Sequence, residues 1–589
     1  MENQNNILHK KAGIRSKLVL FTLLVLFLQI FFFKDILTYY YPAEDEFALL
    51  VHSIPMFNSF DPAGWFTIGF AKYFTVYPEW TPYYQNVMRP IVNVVYYINS
   101  LIFGNNYGFY LLFSYLLNGI AFSLVYYIAR RILRLSENFS VISAALFLLN
   151  PGLLGKFYFY PSFAFDLFAA IVSGIVLLLM FKRKFYPALI ISVFGMFLKE
   201  TMMFLPLALT ITYLILQRRD GKQVSKILVL SYLLLPYIVW IGVRISLSYV
   251  FEGASYTEHL SNPKFFAVTL IQSVMSWPLG IPDRVDVITN FKSFTSMNFA
   301  QVNAFYILAS LFNLVMNAFF IIYAVMFAKK RLYKNMNTSV LVILSWLFIY
   351  YIMIIVLGLE TRFGETLDLL GIPFVLYLAI RSFPKIYKYS SYTYVGFIVI
   401  YGFIGYFNLF GADTIDMYKM KYKNSRELID LIKENSTATG DLLLVNDITA
   451  GFGSGSLESF AGVNRKIMKI NSITFDDIAS HSVSGFDLTS YTNGDTVFIF
   501  VTVPQGTEFQ FEGIDSKEFA HNEKEWFARD PELFYKFPNE KVTGISQSTG
   551  TQTYDLGNKM NIKYLSSGAD AVIYFNPSAG KYEIAHIFK

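Results

Sequence analysis

Residues 18–47 read LVLFTLLVLFLQIFFFKDILTYYYPAEDEF, and this stretch decides the class of the fold. Its first part, residues 18–33, carries no charge and approaches the ~20 apolar residues that a helix needs to cross a bilayer. Because no small-residue cleavage site follows, these residues predict a retained first span and not a cleaved signal peptide. A tyrosine cluster and three adjacent acidic residues come shortly after the span.

The composition of the whole chain indicates a membrane protein with many spans. Hydrophobic residues make up 54% and charged residues 15% of the 589 residues, which excludes an ordinary soluble protein. The chain has no cysteine, so disulfides and thiolate chemistry are excluded. The net charge of +6 does not indicate a nucleic-acid partner, because the basic residues concentrate in short loops between apolar runs.

Clusters of lysine and arginine separate the apolar runs of the first 410 residues. The clusters are Lys10, Lys11, Arg15; Arg130, Arg131, Arg134; Lys182, Arg183, Lys184; Arg218, Arg219, Lys222; Lys329, Lys330, Arg331; and Arg381, Lys385, Lys388. Basic loops of this kind are retained on the cytoplasmic side of a membrane. The pattern therefore predicts a cytoplasmic N-terminus in a multi-pass protein of the cytoplasmic membrane, with the alternate loops outside.

The apolar runs predict about eleven transmembrane helices in residues 1–410. They cover residues 18–33, 108–128, 141–154, 163–181, 185–198, 202–216, 227–250, 302–327, 340–357, 367–380 and 394–410. Several are shorter than the ~20 residues that cross a bilayer, so the count is open by one or two. Two outer segments are long, residues 38–107 and 251–300. An odd number of spans places the chain after residue 410 on the outer face.

Residues 411–589 have the composition of a soluble domain, and we predict a single extracytoplasmic α/β domain there. A helix is expected after Asn424, which is a plausible N-cap with Glu427 three residues on. Apolar and β-branched runs predict strands at 441–445, 496–503, 571–575 and 582–588. The glycine-rich stretch 451–455 lacks the lysine of a phosphate-binding loop, so we interpret it as a flexible loop.

The acidic residues Glu44, Asp45 and Glu46 follow the first predicted span on the outer face. Three adjacent carboxylates near anionic headgroups repel one another, so they indicate a bound cation, an acceptor hydroxyl or free solvation. A glycosyl transfer to a hydroxyl needs a carboxylate that accepts the hydroxyl proton. We select Asp45 as that base, with Glu46 as the second choice and a solvated loop as the alternative.

Four elements on the predicted outer loops occur in an order that is typical of one enzyme family. They are Asp45-Glu46 after the first span, Arg89-Pro90 followed by Phe103-Gly104, Lys199-Glu200 before Pro206, and Arg362-Phe363 before Pro373. In this order they resemble the GT-C superfamily of polyprenyl-phosphate-sugar-dependent membrane glycosyltransferases, which includes protein O-mannosyltransferases and aminoarabinose transferases. The resemblance covers about residues 18–410 and implies that the acidic residues after the first helix are catalytic.

A transferase on the outer face has no sugar nucleotides available, so it would use a sugar carried on a polyprenyl phosphate. Its acceptor would be a glycan or polymer of the cell envelope, in contact with membrane lipids. The lipid phosphate gains negative charge as it leaves, and a preorganised cation that stabilises this charge typically contributes ~3 kcal/mol. Arg89, Lys199 and Arg362 are our candidates for binding the donor phosphate.

Each supporting residue has a simpler alternative. Lys199 and Glu200 are expected to neutralise each other if the pair is only structural, and Arg362 has acidic neighbours that offer a surface salt bridge. Lys156 is expected to extend to the headgroups. Asp166 lies inside an apolar run, where a carboxylate either orients a lysine, lines the acceptor cavity or ends the span.

Metal dependence and two rival functions stay open at the level of sequence. Some GT-C enzymes hold a divalent cation and others do not, and Asp45 and Glu46 are the candidate ligands here. A lipid-linked oligosaccharide polymerase or ligase would share the outer-face chemistry but usually places its key residues in later loops. A polysaccharide or lipid transporter of the flippase kind would show internal repeats and charges at mid-membrane, and no clear repeat is present.

Overall fold

The computed structural model describes residues 2–40, 89–104, 106–149, 164–246, 337–356 and 365–382, and a set of strands between 441 and 587. It also gives isolated helical positions at 311, 314, 318, 427, 430, 431 and 434. Residues 41–88, 150–163, 247–310 and 357–364 lie outside these ranges, and so does most of the chain from 383 to 440.

The first part of the chain is helical wherever the structure describes it. The helices are α1 (Glu2–Phe32), α2 (Lys34–Tyr39), α3 (Pro90–Phe103), α4 (Leu111–Tyr127), α5 (Glu137–Leu148), α6 (Ala164–Phe181), α7 (Phe185–Gly195), α8 (Leu205–Arg219), α9 (Lys226–Ser246), α10 (Thr338–Val356) and α11 (Glu365–Ser382). Short 3-10 turns precede α4 and α8. Apolar side chains dominate these segments. A helix suits such segments in a bilayer, because it satisfies its own backbone hydrogen bonds.

Four helical stretches in the described residues are long and apolar enough to cross a membrane, namely Tyr107–Ile132, Ala164–Phe181, Thr201–Arg219 and Lys226–Ser246. Each corresponds to a span that the sequence predicts. Shorter apolar helices lie at Ser16–Phe32, Glu137–Leu148, Phe185–Gly195, Thr338–Ile352 and Asp368–Tyr377 and match five more predicted runs. The structure is therefore compatible with a helical membrane protein, and it supports membrane association.

Helix α3 was not among the predicted spans, because residues 38–107 were assigned to an outer loop. Its 14 residues begin with Pro90 at the first helical position, where a missing N–H leaves no unsatisfied donor. They end at Gly104, whose φ of 55° is a conformation that suits glycine. A helix of this length rises about 21 Å, which is less than the ~30 Å hydrocarbon core.

Helices α1 and α4 pack against each other closely and through polar groups. The side-chain amide of Asn118 donates to Gln29 at 2.7 Å, and that of Gln29 donates to the Tyr115 carbonyl at 3.3 Å. At Gly119 an added Cβ would lie 2.6 Å from the carbonyl oxygen of Thr22. Small residues and hydrogen bonds of this kind drive helix association in lipid, where burial alone gives little free energy.

The basic ends of several helices meet at one end of the bundle. Three contacts join them: Lys17 with Glu137 at 2.5 Å, Lys182 with the Tyr127 ring at 5.8 Å, and Arg183 with Asp220 at 2.6 Å. These residues belong to, or directly adjoin, four of the basic clusters in the sequence. These four clusters, which the charge pattern assigns to a common side of the membrane, therefore lie on a common side of the structure.

The strands of residues 441–587 belong to a second compact unit. Six of them form a mixed sheet in the order β10-β9-β5-β1-β2-β7, with the following bounds: β1 Asp441–Val445, β2 Ile467–Asn471, β5 Phe498–Val503, β7 Thr551–Asp555, β9 Ala571–Asn576 and β10 Lys581–Ile587. Strands β1, β2 and β7 are mutually parallel, whereas β5, β9 and β10 pair antiparallel. Strands β3 (Ser482–Val483) and β4 (Phe486–Asp487) form a separate antiparallel pair, and so do β6 (Phe511–Glu512) and β8 (Asn561–Ile562). The four predicted strands are all present.

Candidate functional site

The structure describes four of the eight candidate site residues. Arg89 precedes α3, Asp166 lies in the first turn of α6, and Lys199 and Glu200 lie between α7 and α8. The other four are Asp45, Glu46, Lys156 and Arg362, and they lie outside the described residues. The geometry of the site is therefore built from the first group, at the ends of α3, α6 and α8.

Two of these candidates, Lys199 and Asp166, form a buried ion pair. The Lys199 Nζ contacts the Asp166 Oδ1, and the two side chains are 9% and 2% exposed. The simpler alternative of a pair between Lys199 and its neighbour Glu200 is therefore not needed to neutralise the lysine. Of the interpretations of Asp166 that the sequence leaves open, the contact matches the one in which it orients a lysine.

Lys199 is brought to Asp166 by a break between two helices. Helix α7 ends at Gly195, three buried residues form a turn, and Lys199 is extended with φ −161° and ψ 152°. A 3-10 turn, Glu200–Phe204, then leads into α8. Non-helical backbone within a membrane protein is tolerated where protein buries it or where it lines a cavity. Here protein buries it, since Leu198 and Met202 are each 1% exposed.

Side chains from three other helices hold this connecting segment. On α6, the hydroxyl of Ser173 lies 3.5 Å from the Met202 sulfur and 3.1 Å from the hydroxyl of Tyr350 on α10. On α9, the hydroxyl of Tyr237 donates to the carbonyl of Met203. These contacts fix the turn that follows Lys199, so the position of the ammonium group depends on tertiary packing and not on the segment alone.

Asp166 is held by its place at the start of α6. A carboxylate in the first turn of a helix is stabilised by the positive end of the helix dipole. The preceding residue, Phe165, packs edge-to-face against Tyr96 of α3, with ring centroids 5.2 Å apart. Arg89 directly precedes α3, about 10 Å of helical rise from Tyr96. The structure thus brings Lys199 to Asp166, and it packs the helix that follows Arg89 against the start of α6.

The Lys199–Asp166 pair lies at the end of the bundle opposite to the basic clusters. On α6, the rise from Asp166 to the last residue, Phe181, is about 22 Å. That rise is shorter than the ~30 Å hydrocarbon thickness, so an α6 that crosses a bilayer upright would keep the ion pair within the apolar layer. Arg183, just beyond Phe181, makes the salt bridge at the other end.

The burial of the Lys199–Asp166 pair sets it apart from the salt bridges at the basic end. The side chains of Arg183 and Asp220 are 34% and 26% exposed, and those of Lys17 and Glu137 are 45% and 48% exposed. A buried ion pair contributes little net stability, because desolvation of both charges offsets their attraction. Charges buried in transmembrane helices are functional candidates for this reason. The buried ammonium can stabilise an anion that enters from the bundle end.

The positioning residues Ser173, Tyr350 and Tyr237 were not identified from the sequence. Serine and tyrosine in an apolar run carry no spacing that separates a polar contact from ordinary helix packing, so these residues have no usable signal at the level of sequence. No group of three histidine, aspartate or glutamate side chains in a metal-binding arrangement occurs among the described residues. The chain matches no protein-family model, and it matches no curated protein sequence.

Proposed function

We propose that the protein is a membrane glycosyltransferase that moves a sugar from a polyprenyl-phosphate donor to a cell-envelope glycan or polymer. The observation that carries the proposal is the buried Lys199–Asp166 pair at the bundle end opposite to the basic clusters. A lysine in that position supplies a fixed cation in a site with little water, where charge stabilisation is strongest. This chemistry suits a lipid phosphate that becomes more negative as it leaves the sugar.

The reaction follows from the charges assigned to the site. The acceptor oxygen attacks the anomeric carbon, the bond from that carbon to the phosphate oxygen breaks, and its electron pair stays with the phosphate. Asp45 takes the acceptor proton, with Glu46 as the alternative base. Lys199, Arg89 and Arg362 stabilise the departing phosphate, and Asp166 orients Lys199. If a divalent cation takes part, Asp45 and Glu46 are its ligands.

The proposal includes an orientation of the chain. Residues 1–410 cross the cytoplasmic membrane about eleven times, with the basic clusters inside. Residues 411–589 form an extracytoplasmic α/β domain. The common position of four basic clusters at one bundle end supports this orientation, because a random assignment of loops would scatter them over both ends.

The proposed function is tested by analysis of envelope glycans. Cells that lack the protein are complemented with the wild-type chain, with Asp45→Asn, or with Glu44→Gln, and their envelope glycans are compared by mass spectrometry. Loss of one sugar residue without the protein, restored by the wild-type chain, is the expected result. Asp45→Asn should lower transfer by a factor on the order of 10²–10⁴, because the shape is kept and the proton acceptor is lost.

Glu44→Gln is the matched control, because it removes one carboxylate of the same acidic cluster and leaves Asp45 and Glu46 in place. It should restore the wild-type glycan. If Glu46→Gln proves more damaging than Asp45→Asn, the role of base moves to Glu46. Unchanged glycans in cells without the protein would refute the proposed function. Full transfer by the double Asp45→Asn, Glu46→Gln variant would refute carboxylate catalysis in this loop.

A further inference from the structure

We propose that Asp166 is an exchangeable counter-ion, which Lys199 releases when the phosphate of a polyprenyl phosphate binds. The inference rests on the proposed function for the choice of lipid, and it adds a step to it. In the structure the carboxylate of Asp166 is the anion beside the ammonium of Lys199. The phosphate would take that place without any change in the charge of Lys199.

The energetics of a buried ion pair favour exchange over a purely structural role. Two charges in a poorly solvated site gain little net stability from each other, since their desolvation offsets the attraction. A phosphate that replaces the carboxylate keeps an anion beside the ammonium, and the cost of parting Asp166 from Lys199 lowers the affinity for that phosphate. Phosphate is a strong hydrogen-bond acceptor that carries more charge than a carboxylate when it is a monoester.

The local structure favours a fixed lysine and a partner that can change. The turn after Lys199 is held through Met202 by Ser173 and through Met203 by Tyr237. Lys199 itself is an extended residue between two helical segments, so its backbone is outside the regular helical hydrogen-bonding pattern. Arg89, which directly precedes α3, is a second candidate cation for an incoming phosphate, and Tyr96 of that helix packs against Phe165, the sequence neighbour of Asp166.

Exchange and a purely structural role predict opposite changes in the affinity of Asp166→Asn for undecaprenyl phosphate. If Asp166 competes with phosphate, Asp166→Asn should bind undecaprenyl phosphate more tightly than the wild type, by about tenfold or more, because removal of one competing charge in a buried site is worth at least that factor. If Asp166 only positions Lys199, the same variant should bind more weakly. Lys199→Gln should lose binding in either case and identifies the cation.

The experiment measures binding of undecaprenyl phosphate to the full-length protein in lipid nanodiscs. Undecaprenol, which lacks the phosphate, and inorganic phosphate are the comparison ligands. Asp220→Asn is the matched control, because it frees a cation, Arg183, at the other end of α6 and should leave binding unchanged. Binding of undecaprenol as tight as that of the phosphate would overturn the proposal, and so would inorganic phosphate that binds as tightly as the lipid.

A second measurement needs no variant. Carbodiimide labelling of Asp166 in the wild-type protein, read by mass spectrometry, should rise severalfold when undecaprenyl phosphate is added and stay constant with undecaprenol. Lipid that binds while the labelling of Asp166 is unchanged would overturn the exchange. Neither measurement depends on sugar transfer. Exchange without transfer and transfer without exchange can therefore be told apart.

Discussion

Removal of one partner from the buried ion pair should destabilise the protein far more than removal of one partner from the exposed pair on the same helix. Asp166 and Lys199 are 2% and 9% exposed, so Lys199→Met leaves a buried carboxylate without its cation. Breaking a buried pair in this way typically costs about 3–5 kcal/mol. Asp166→Leu, which removes the carboxylate beside the ammonium, should cost a similar amount.

The exposed pair supplies the control. Arg183 and Asp220 are 34% and 26% exposed, so solvent screens the charge that stays behind. Asp220→Asn should therefore cost no more than about 1 kcal/mol. The double variant Asp166→Leu, Lys199→Met removes both buried charges, and apolar replacement of a buried pair is often neutral or stabilising by about 1–4 kcal/mol.

The assay is thermal unfolding of the purified protein in one detergent, followed by tryptophan fluorescence, with all variants at equal concentration. The expected order of stability places the double variant near the wild type, Asp220→Asn close behind and both single variants at the buried pair well below. Single variants at Asp166 and Lys199 that unfold together with Asp220→Asn would refute the reasoning, because they would show that water already screens the pair.

The remaining predictions concern helix packing, topology and the support of the lysine. Gly119→Ala should lower the stability by about 1–3 kcal/mol, since its Cβ would lie 2.6 Å from the backbone of α1. Gly242→Ala, whose Cβ would have nothing within 4 Å, should be neutral or stabilising. Thermal unfolding compares the two variants. The chain has no native cysteine to interfere with labelling. A cysteine placed at Ser454 should therefore react with a membrane-impermeant maleimide from outside, and one placed at Lys222 only after permeabilisation. Labelling at position 454 only after permeabilisation would reverse the orientation. Tyr237→Phe should lower stability by about 1 kcal/mol through loss of its hydrogen bond to a backbone carbonyl, and an unchanged melting temperature would contradict that contact.

The positions of helices could be predicted from the sequence, because apolar runs bounded by basic clusters carry their own signal. Among the described helices α2 and α3 are exceptions, and the run of α3 includes two asparagines and two tyrosines in 14 residues and is too short to cross a bilayer. A hydropathy pattern detects spans, and this helix is not long enough to be one. Its existence depends on the packing of Tyr96 and of its neighbours, which the sequence does not display.

Charged candidate residues could be named from the sequence, whereas their pairing could not. Lys199 and Glu200 are adjacent in the sequence, and a local pair was the simplest expectation. Adjacency in the sequence does not decide which side chains meet, because packing between helices can bring a distant partner closer. The actual partner, Asp166, lies 33 positions earlier on another helix, and only the fold brings the two together.

Helix α6 carries an ion pair at each end, and their difference argues for a functional end and a structural end. At the basic end, Arg183 and Asp220 are partly solvated and contribute little whether they pair or not. At the other end, Asp166 and Lys199 are buried, and hydrophobic side chains would serve stability there at least as well. A charge pair kept where stability does not require it points to a ligand that needs the charge. Polyprenyl phosphate is the ligand we propose, and its phosphate is the group that would complete the site.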